Sequence, residues 1–255
     1  MKTAFLACLF ALLILMQTKS MAHARPLVIC THLGFEPFVI KKGKSLKGID
    51  IDIVLQILKN AKLSADIRAY PWQRLLIALK EGKCDIGFSL FDTEDRRQFV
   101  DYVFSAPIHY STFSVFVKKG KEFKFDQISD FFGLRIAHNR GFAMTVGLDQ
   151  AINDGKINRV LFDNVKGALR MLEKNQVDAI LDNDARFRYY LKTQKKLNVI
   201  RSLNVPFLLH RPAFLVISRK TTWEDPAGLK KILQTQLRKI HLDGTIQNIN
   251  TKYLN

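Results

Sequence analysis

Two stretches of the chain, LLIALKEGKCDIGF (75–88) and ALRMLEKNQVDAIL (168–181), match in residue type at a constant offset of 93 (75 to 168). Each reads as the end of an amphipathic helix, a turn, and a short apolar strand opened by aspartate. Trp72, Leu75, Leu76 and Leu79 fall at i, i+3, i+4, i+7 and are closed by Gly82; Val165, Ala168, Leu169 and Leu172 repeat the spacing and are closed by Asn175. Ile51, Val54, Leu55 and Leu58 give another helix, which Asp50 is placed to cap. Helices that alternate with strands predict parallel α/β sheets, and a duplicated unit predicts two such lobes. Ligands of open α/β sheets sit beyond the carboxyl ends of the strands. Here those ends are Phe88-Ser89 in one lobe and Leu181-Asp182-Asn183-Asp184 in the other, and a cleft between lobes would bring both onto one molecule. The last apolar helix (Leu229, Ile232, Leu233, Leu237, Ile240) ends at Asp243-Gly244 and is placed back on the first lobe. That requires two crossings, for which STFSVFV (111–117) and PAFLVIS (212–218) are the extended runs available.

The segment MKTAFLACLFALLILMQTKSMAHA has one early lysine, an apolar run from Ala4 to Met16 and the small-residue pattern Ala22-His23-Ala24. This reads as a cleavable secretory signal over 1–24, too short to span a bilayer, with the mature chain beginning at Arg25. Loss of Lys2 and Lys19 lowers the formal charge from +17 to +15. The remaining positive residues are scattered, as in Lys41-Lys42 and Lys118-Lys119, rather than gathered on a basic face with interleaved aromatics. That pattern argues for a solvated surface and against a nucleic-acid partner. Two cysteines remain outside the leader. Cys30 ends LVIC and Cys84 begins CDIGFSL. On parallel neighbouring strands their sulfurs would lie about 10 Å or more apart, at roughly 3.3 Å per residue, so free buried thiols are expected.

The run FDTEDRRQFVDY (91–102) places Arg96 and Arg97 behind Glu94 and Asp95. By residue type alone it is either a solvated charged loop or a loop that aims one guanidinium at a ligand. A wider set of landmarks bears on the choice: FEPF (35–38), LKGIDIDIV (46–54), the helix before CDIGF, TEDRRQFVDY (93–102), VDAIL (177–181) and DGTIQNINTKY (243–253). In order and spacing these resemble the periplasmic solute-binding proteins of the polar-amino-acid type, family 3, the receptors of ABC importers. The resemblance covers nearly all of the chain after the leader. It implies a type II periplasmic-binding-protein-like α/β fold, each lobe a mostly parallel sheet flanked by helices, with lobe 1 from 25–112 and 214–255, lobe 2 from 113–213, and two crossing strands as the hinge. It implies Arg96 as the residue that grips a ligand carboxylate, which suits guanidinium because its planar fork matches two carboxylate oxygens. Arg97 reads as surface, screened by Glu94 or Asp95. Phe35 and Trp72 fall where the family sandwiches a ligand's side chain, although Trp72 also continues an apolar helical stripe.

Ser89, Gly141, Phe142, Asn183 and Asp184 complete the candidate ligand-binding set. The chain departs from the family pattern at several of these places. His32 stands where an aspartate is common, Phe91 where a hydroxyl is common, Gly141-Phe142-Ala143 where a Gly-Ser/Thr pair is usual, and Asn183 at the position of the aspartate that meets a ligand's ammonium. The carboxylate fork is kept while the ammonium contacts are changed. Backbone N–H groups after Gly141 would serve the carboxylate if a helix started there. There is no GxSxG, CxxC, HExxH or phosphate-cradling glycine loop, and the histidines are dispersed. No catalytic residue, metal or cofactor is therefore expected. The expected function is a monomeric extracytoplasmic binding protein for a small carboxylate, an amino acid or derivative. Its partner would be an ABC permease at the inner membrane, or a sensor kinase. The alternative is a cleft enzyme of the cyclohexadienyl-dehydratase type.

Overall fold

The computed structural model describes residues 25–254; the signal segment expected over 1–24 lies outside the described residues. The chain opens with β1 (Leu27–His32), the hairpin strands β2 (Ile40–Lys42) and β3 (Ser45–Lys47), α1 (Ile49–Ala61), β4 (Ala65–Tyr70) and α2 (Trp72–Lys80). It continues through β5 (Ile86–Phe91), the one-turn helix α3 (Glu94–Arg97) and β6 (Val100–Tyr102). The long strand β7 (His109–Lys118) leads by a 3-10 turn into β8 (Arg135–Asn139), α4 (Val146–Asn153), β9 (Asn158–Phe162) and α5 (Val165–Glu173). Then come β10 (Ala179–Asn183), α6 (Asp184–Thr193) and β11 (Ile200–Ser202), and β12 (Leu208–Ser218) returns to α7 (Pro226–Leu242) and α8 (Thr245–Leu254).

The main sheet runs β4-β1-β5-β12-β7-β10-β8-β9. β1 is parallel to β4 and β5, and β8 is parallel to β9 and β10. Between these parallel halves stand β12 and β7, antiparallel to each other and to their outer neighbours β5 and β10. They are the two extended runs expected to cross, and the fold is the two-lobed α/β architecture anticipated above. The last helices return to the first half, where α7 and α8 pack on α1. Leu229, Leu233, Leu237 and Ile240 are buried on the inner stripe of α7, each such side chain contributing about 1.5–3 kcal/mol relative to exposure.

The duplicated unit is repeated in its hydrogen bonds. Asp85 and Asp178 hold the same place, one residue before β5 and one before β10. The Asp85 N–H donates to Val28 O at 2.7 Å, and its carboxylate accepts from Val28 N at 2.8 Å and from Arg25 at 2.7 Å. The Asp178 N–H donates to Arg135 O at 2.9 Å, and its carboxylate accepts the Arg135 backbone N–H at 2.8 Å and guanidinium at 2.7 Å. Each aspartate therefore clamps the first residues of the neighbouring parallel strand, which explains why both strands open with one. Gly82 and Asn175 both take the left-handed conformation, φ 75° and 55°, that closes the preceding helix.

Two local expectations are corrected. Asp50 does not cap α1: Gly48 occupies that position without a side-chain bond, and Asp50 lies fully buried in the first turn, turned toward the sheet. Cys30 and Cys84 form a disulfide, with Cα atoms 5.9 Å apart. β1 and β5 are parallel neighbours, and Cys30 stands in register with Gly87, but Cys84 is not part of the extended strand. It belongs to the turn that brings α2 back to the sheet, and packs with Cys30, Leu75 and Leu79 beneath that helix. Counting residues along an extended strand overestimates the separation because the chain there doubles back.

Candidate functional site

The carboxyl ends of β1, β5, β8 and β10 converge where the two halves meet. β1 ends at His32 and is followed by a turn carrying Phe35, both buried. β5 carries a bulge: Phe88 and Ser89 together oppose Leu215 of β12, and Ser89 adopts φ 67°. A bulged residue re-aims its side chain, and the Ser89 hydroxyl leaves the sheet to donate to Asp50. From the far half, β8 runs out at Asn139 into the loop Gly141-Phe142-Ala143, and α4 starts only at Val146, capped by Thr145. The helix N-terminus considered above is thus not at Gly141. What Gly141 presents to the first half is its carbonyl oxygen.

That oxygen accepts two hydrogen bonds across the cleft, from Trp72 Nε1 at 2.8 Å and from the Arg96 guanidinium at 3.3 Å. Thr93 caps the short helix α3 and sets Arg96 inward. The guanidinium also donates to Phe91 O at 3.0 Å and lies 5.2 Å from the Trp72 ring centre, within cation–π range. Its acceptors are neutral carbonyls; none of the ion pairs among the described residues includes it. Arg96 is 5 % exposed, and burial brings its pKa down to about 10, with the nearby Arg211 adding to the fall and Tyr102 opposing it. It stays charged at neutral pH. Arg97 points outward and pairs with Asp92 at 2.7 Å, not with Glu94 or Asp95.

Arg96, Phe35, Trp72, Ser89 and Phe142 line one small cavity of about 20 Å³, together with His32, Phe91 and Phe113. Phe142 enters the cavity wall from the far half. Its ring lies 5.7 Å from that of His32, 5.6 Å from Trp72 and 6.3 Å from Phe113, each edge to face. Trp72 packs its body on Leu75 and Cys30, as the apolar stripe implies, and turns its N–H to the cleft. His32 is held well below the ordinary histidine range by burial, and then by the charge of Arg186, so it stands in the cavity wall as a neutral ring. On the mouth side, Arg96 also borders an outer groove of about 670 Å³ between α2, α3, the 141–144 loop and the start of α4.

Asn183 and Asp184 do not line the cavity. Asn183 caps α6 through Arg186 N at 3.0 Å and donates to Ser111 Oγ at 3.0 Å. Asp184, partly exposed in the first turn of α6, pairs with Arg188 at 2.8 Å. The buried acid here is Asp182, whose carboxylate takes Arg186 at 2.9 and 3.1 Å and the Asn183 N–H at 2.8 Å. Arg186 in turn donates to Gly34 O at 2.9 Å, a third hydrogen bond across the cleft. The i, i+4 spacing of Asp182 and Arg186 was the available signal for this pair.

A polar chain runs behind the cavity through residues that sequence reasoning did not single out. His109 Nδ1 lies 2.9 Å from Asp50 and its Nε2 lies 3.0 Å from Ser111 Oγ. With the His109 proton assigned to Nδ1, Asn183 donates to Ser111, Ser111 to His109, and His109 and Ser89 to Asp50, so every group is satisfied. The order serine–histidine–aspartate has the connectivity of a hydrolase triad. Ser111, however, is 1 % exposed, and its oxygen already accepts from Asn183. The chain joins the two halves and braces the floor of the cleft.

Two mostly parallel halves joined by two antiparallel crossing strands, with the buried Arg96 facing the gap between them, are the two-lobed architecture of a periplasmic-binding-protein-like fold. Residues 27–255 match the bacterial extracellular solute-binding proteins, family 3, and the chain belongs to that family. It is 24 % identical over 220 residues to a probable amino-acid-binding protein of Bacillus subtilis, YxeM, covering 86 % of this chain and 80 % of the relative. Among solved structures, an ancestral arginine-binding protein bound to arginine superposes with a TM-score of 0.77 at 23 % identity, over 90 % of this chain and 98 % of the other. A histidine kinase sensor domain with similarity to periplasmic binding proteins does so with a TM-score of 0.78 at 18 % identity, over 91 % and 97 %.

Proposed function

We propose that this protein is a monomeric periplasmic solute-binding protein, released from its leader after Ala24. In this reading two lobes, 25–112 with 214–255 and 113–213, close about β7 and β12 on a small carboxylate, an amino acid or an amino-acid derivative. The closed form then presents the solute to an ABC-type permease in the inner membrane. The observation that carries the reading is Arg96: a buried cation between the halves with only neutral acceptors. A carboxylate replacing the Gly141 carbonyl would satisfy its charge as well as its geometry. Charged hydrogen bonds contribute about 1.5–3 kcal/mol each, and micromolar affinity needs roughly 8 kcal/mol, so the aromatic wall has to supply the rest. Closure follows because a solute touching both halves binds the closed state better than the open one. The amino-acid-binding relative supports the solute class.

The test is Arg96→Met. A ligand at a hundred times its Kd stabilises the folded state by about 2.7 kcal/mol, which in a chain of this size raises Tm by roughly 5–11 °C. The parent should show that shift with at least one small carboxylate in a panel of amino acids and organic acids. The variant should keep its circular dichroism spectrum and lose the shift. A variant stabilised as fully as the parent refutes the assignment of Arg96.

A further inference from the structure

The cleft contains a tethered group with the shape of a ligand. Phe142 places its ring among His32, Trp72 and Phe113, while the carbonyl oxygen joined to its backbone nitrogen, that of Gly141, accepts from Arg96 and from Trp72 Nε1. Between that carbonyl carbon and the ring lie three atoms: the Phe142 nitrogen, Cα and Cβ. A carboxylate three atoms from an aromatic ring would present the same ring to the same cage and a better acceptor to the same arginine.

Inside the cavity the charges are those of an anion site; the nearby acids Asp92, Glu94, Asp95 and Asp149 line the outer groove instead. The cavity wall contains Arg96 and no acid. The two buried carboxylates behind it are engaged, Asp50 by Ser89 and His109, and Asp182 by Arg186 at both oxygens. The Arg186 guanidinium sits 5.4 Å from the Phe142 ring centre with Asp182 already paired to it, so the end of the cleft opposite Arg96 offers no free carboxylate. A buried ammonium in the cavity would meet Arg96 and no carboxylate free to pair with it, and an unpaired buried charge is strongly disfavoured.

Resting on the solute-binding reading above, we propose that the ligand is a carboxylate with an aromatic body and no ammonium group, for which Gly141-Phe142 stands in when the lobes are closed. Free α-amino acids are then selected against, and the ligand must displace the Phe142 ring to enter.

The probes are 4-phenylbutanoate, 3-phenylpropanoate and phenylalanine, titrated calorimetrically into the full mature chain, its Phe142→Ala and Phe142→Leu variants, and Arg96→Met. The expected result is that a phenylalkanoate binds at least about tenfold more tightly than phenylalanine. Phe142→Ala should tighten it further by removing the competing ring, because apparent affinity scales with the fraction of molecules whose site is free. Phe142→Leu preserves apolar packing and gives a smaller gain in the same direction should the alanine variant fail to fold. Arg96→Met should abolish binding. If phenylalanine binds as tightly as the phenylalkanoates in an Arg96-dependent way, the solute-binding reading stands and this inference is overturned. If neither Phe142 variant binds more tightly than the parent, the stand-in role is overturned. If no probe binds the parent or the Phe142 variants, the inference is again overturned, and the amino-acid panel with Arg96→Met decides the solute-binding reading separately.

Discussion

Reducing the Cys30–Cys84 disulfide should cost this protein a large part of its stability, and the amount can be worked from the loop it closes. The bridge spans a sequence separation of 54. The chain-entropy relation for a loop of that length gives about 4 kcal/mol at 25 °C, against a total of about 5–15 kcal/mol for an ordinary domain. For a chain of this size that corresponds to a fall in Tm of roughly 8–16 °C. Both cysteines are fully buried beneath α2, in the cluster that contains Leu75, Leu79 and the body of Trp72. Loosening them should therefore also free the helix that presents the Trp72 N–H to the cleft. The assay is calorimetry of the oxidised and phosphine-reduced protein, with urea titrations of both. Reduction should lower the midpoint and raise the denaturant slope, because an unfolded chain without the cross-link exposes more surface. Alkylation of the unfolded, unreduced protein should leave Cys30 and Cys84 unmodified. Modification of both would refute the bridge, and a Tm change under 2 °C on verified reduction would refute the loop-entropy reasoning.

Three further outcomes follow from single sites. His32 is 2 % exposed and its folded pKa is depressed by burial and by Arg186, and burial depresses that of His138. Below about pH 6.5 the unfolded chain takes up protons that the folded chain refuses, so stability present above that pH is lost as pH falls, by up to about 1.4 kcal/mol per pH unit for each histidine. Urea midpoints at pH 7.5 and 5.5 should show the loss, and His32→Gln should reduce it. Asn183→Ala removes the cap of α6 and the donor to Ser111, which should destabilise by about 2 kcal/mol in the same titration; a change under 0.5 kcal/mol would contradict the bracing role. Gly82→Ala should be severely destabilising, because φ is 75° and a Cβ would overlap the Lys220 carbonyl oxygen. Its counterpart Asn175 already tolerates a side chain at φ 55°, so Asn175→Gly should leave Tm nearly unchanged.

The contrast between the fold and the site lies in the range over which each is encoded. The two halves are legible because helical periodicity and strand-opening aspartates act between near neighbours, and because Asp85 and Asp178 impose one clamp twice. The last helix is legible because its apolar stripe has to be covered. The disulfide is not, because the direction of the chain at Cys84 depends on a turn whose course no periodicity records. Asp50 looks like a cap because capping is a local rule, yet its partners Ser89 and His109 are 39 and 59 residues away. Arg96 is the same case at the site itself. Its residue type points to a carboxylate, but its acceptor belongs to an irregular loop 45 residues on, and only the crossing of β7 and β12 brings that loop over it. Asn183 and Asp184 fail to reach the cavity because α6 begins at Asp184, so that one becomes a cap and the other joins a surface ion pair, leaving Asp182 with Arg186 to set the charge at that end. The site is therefore a property of the junction rather than of either half: Arg96 and Trp72 come from one half, the Gly141 carbonyl and the Phe142 ring from the other, and neither half alone assembles it.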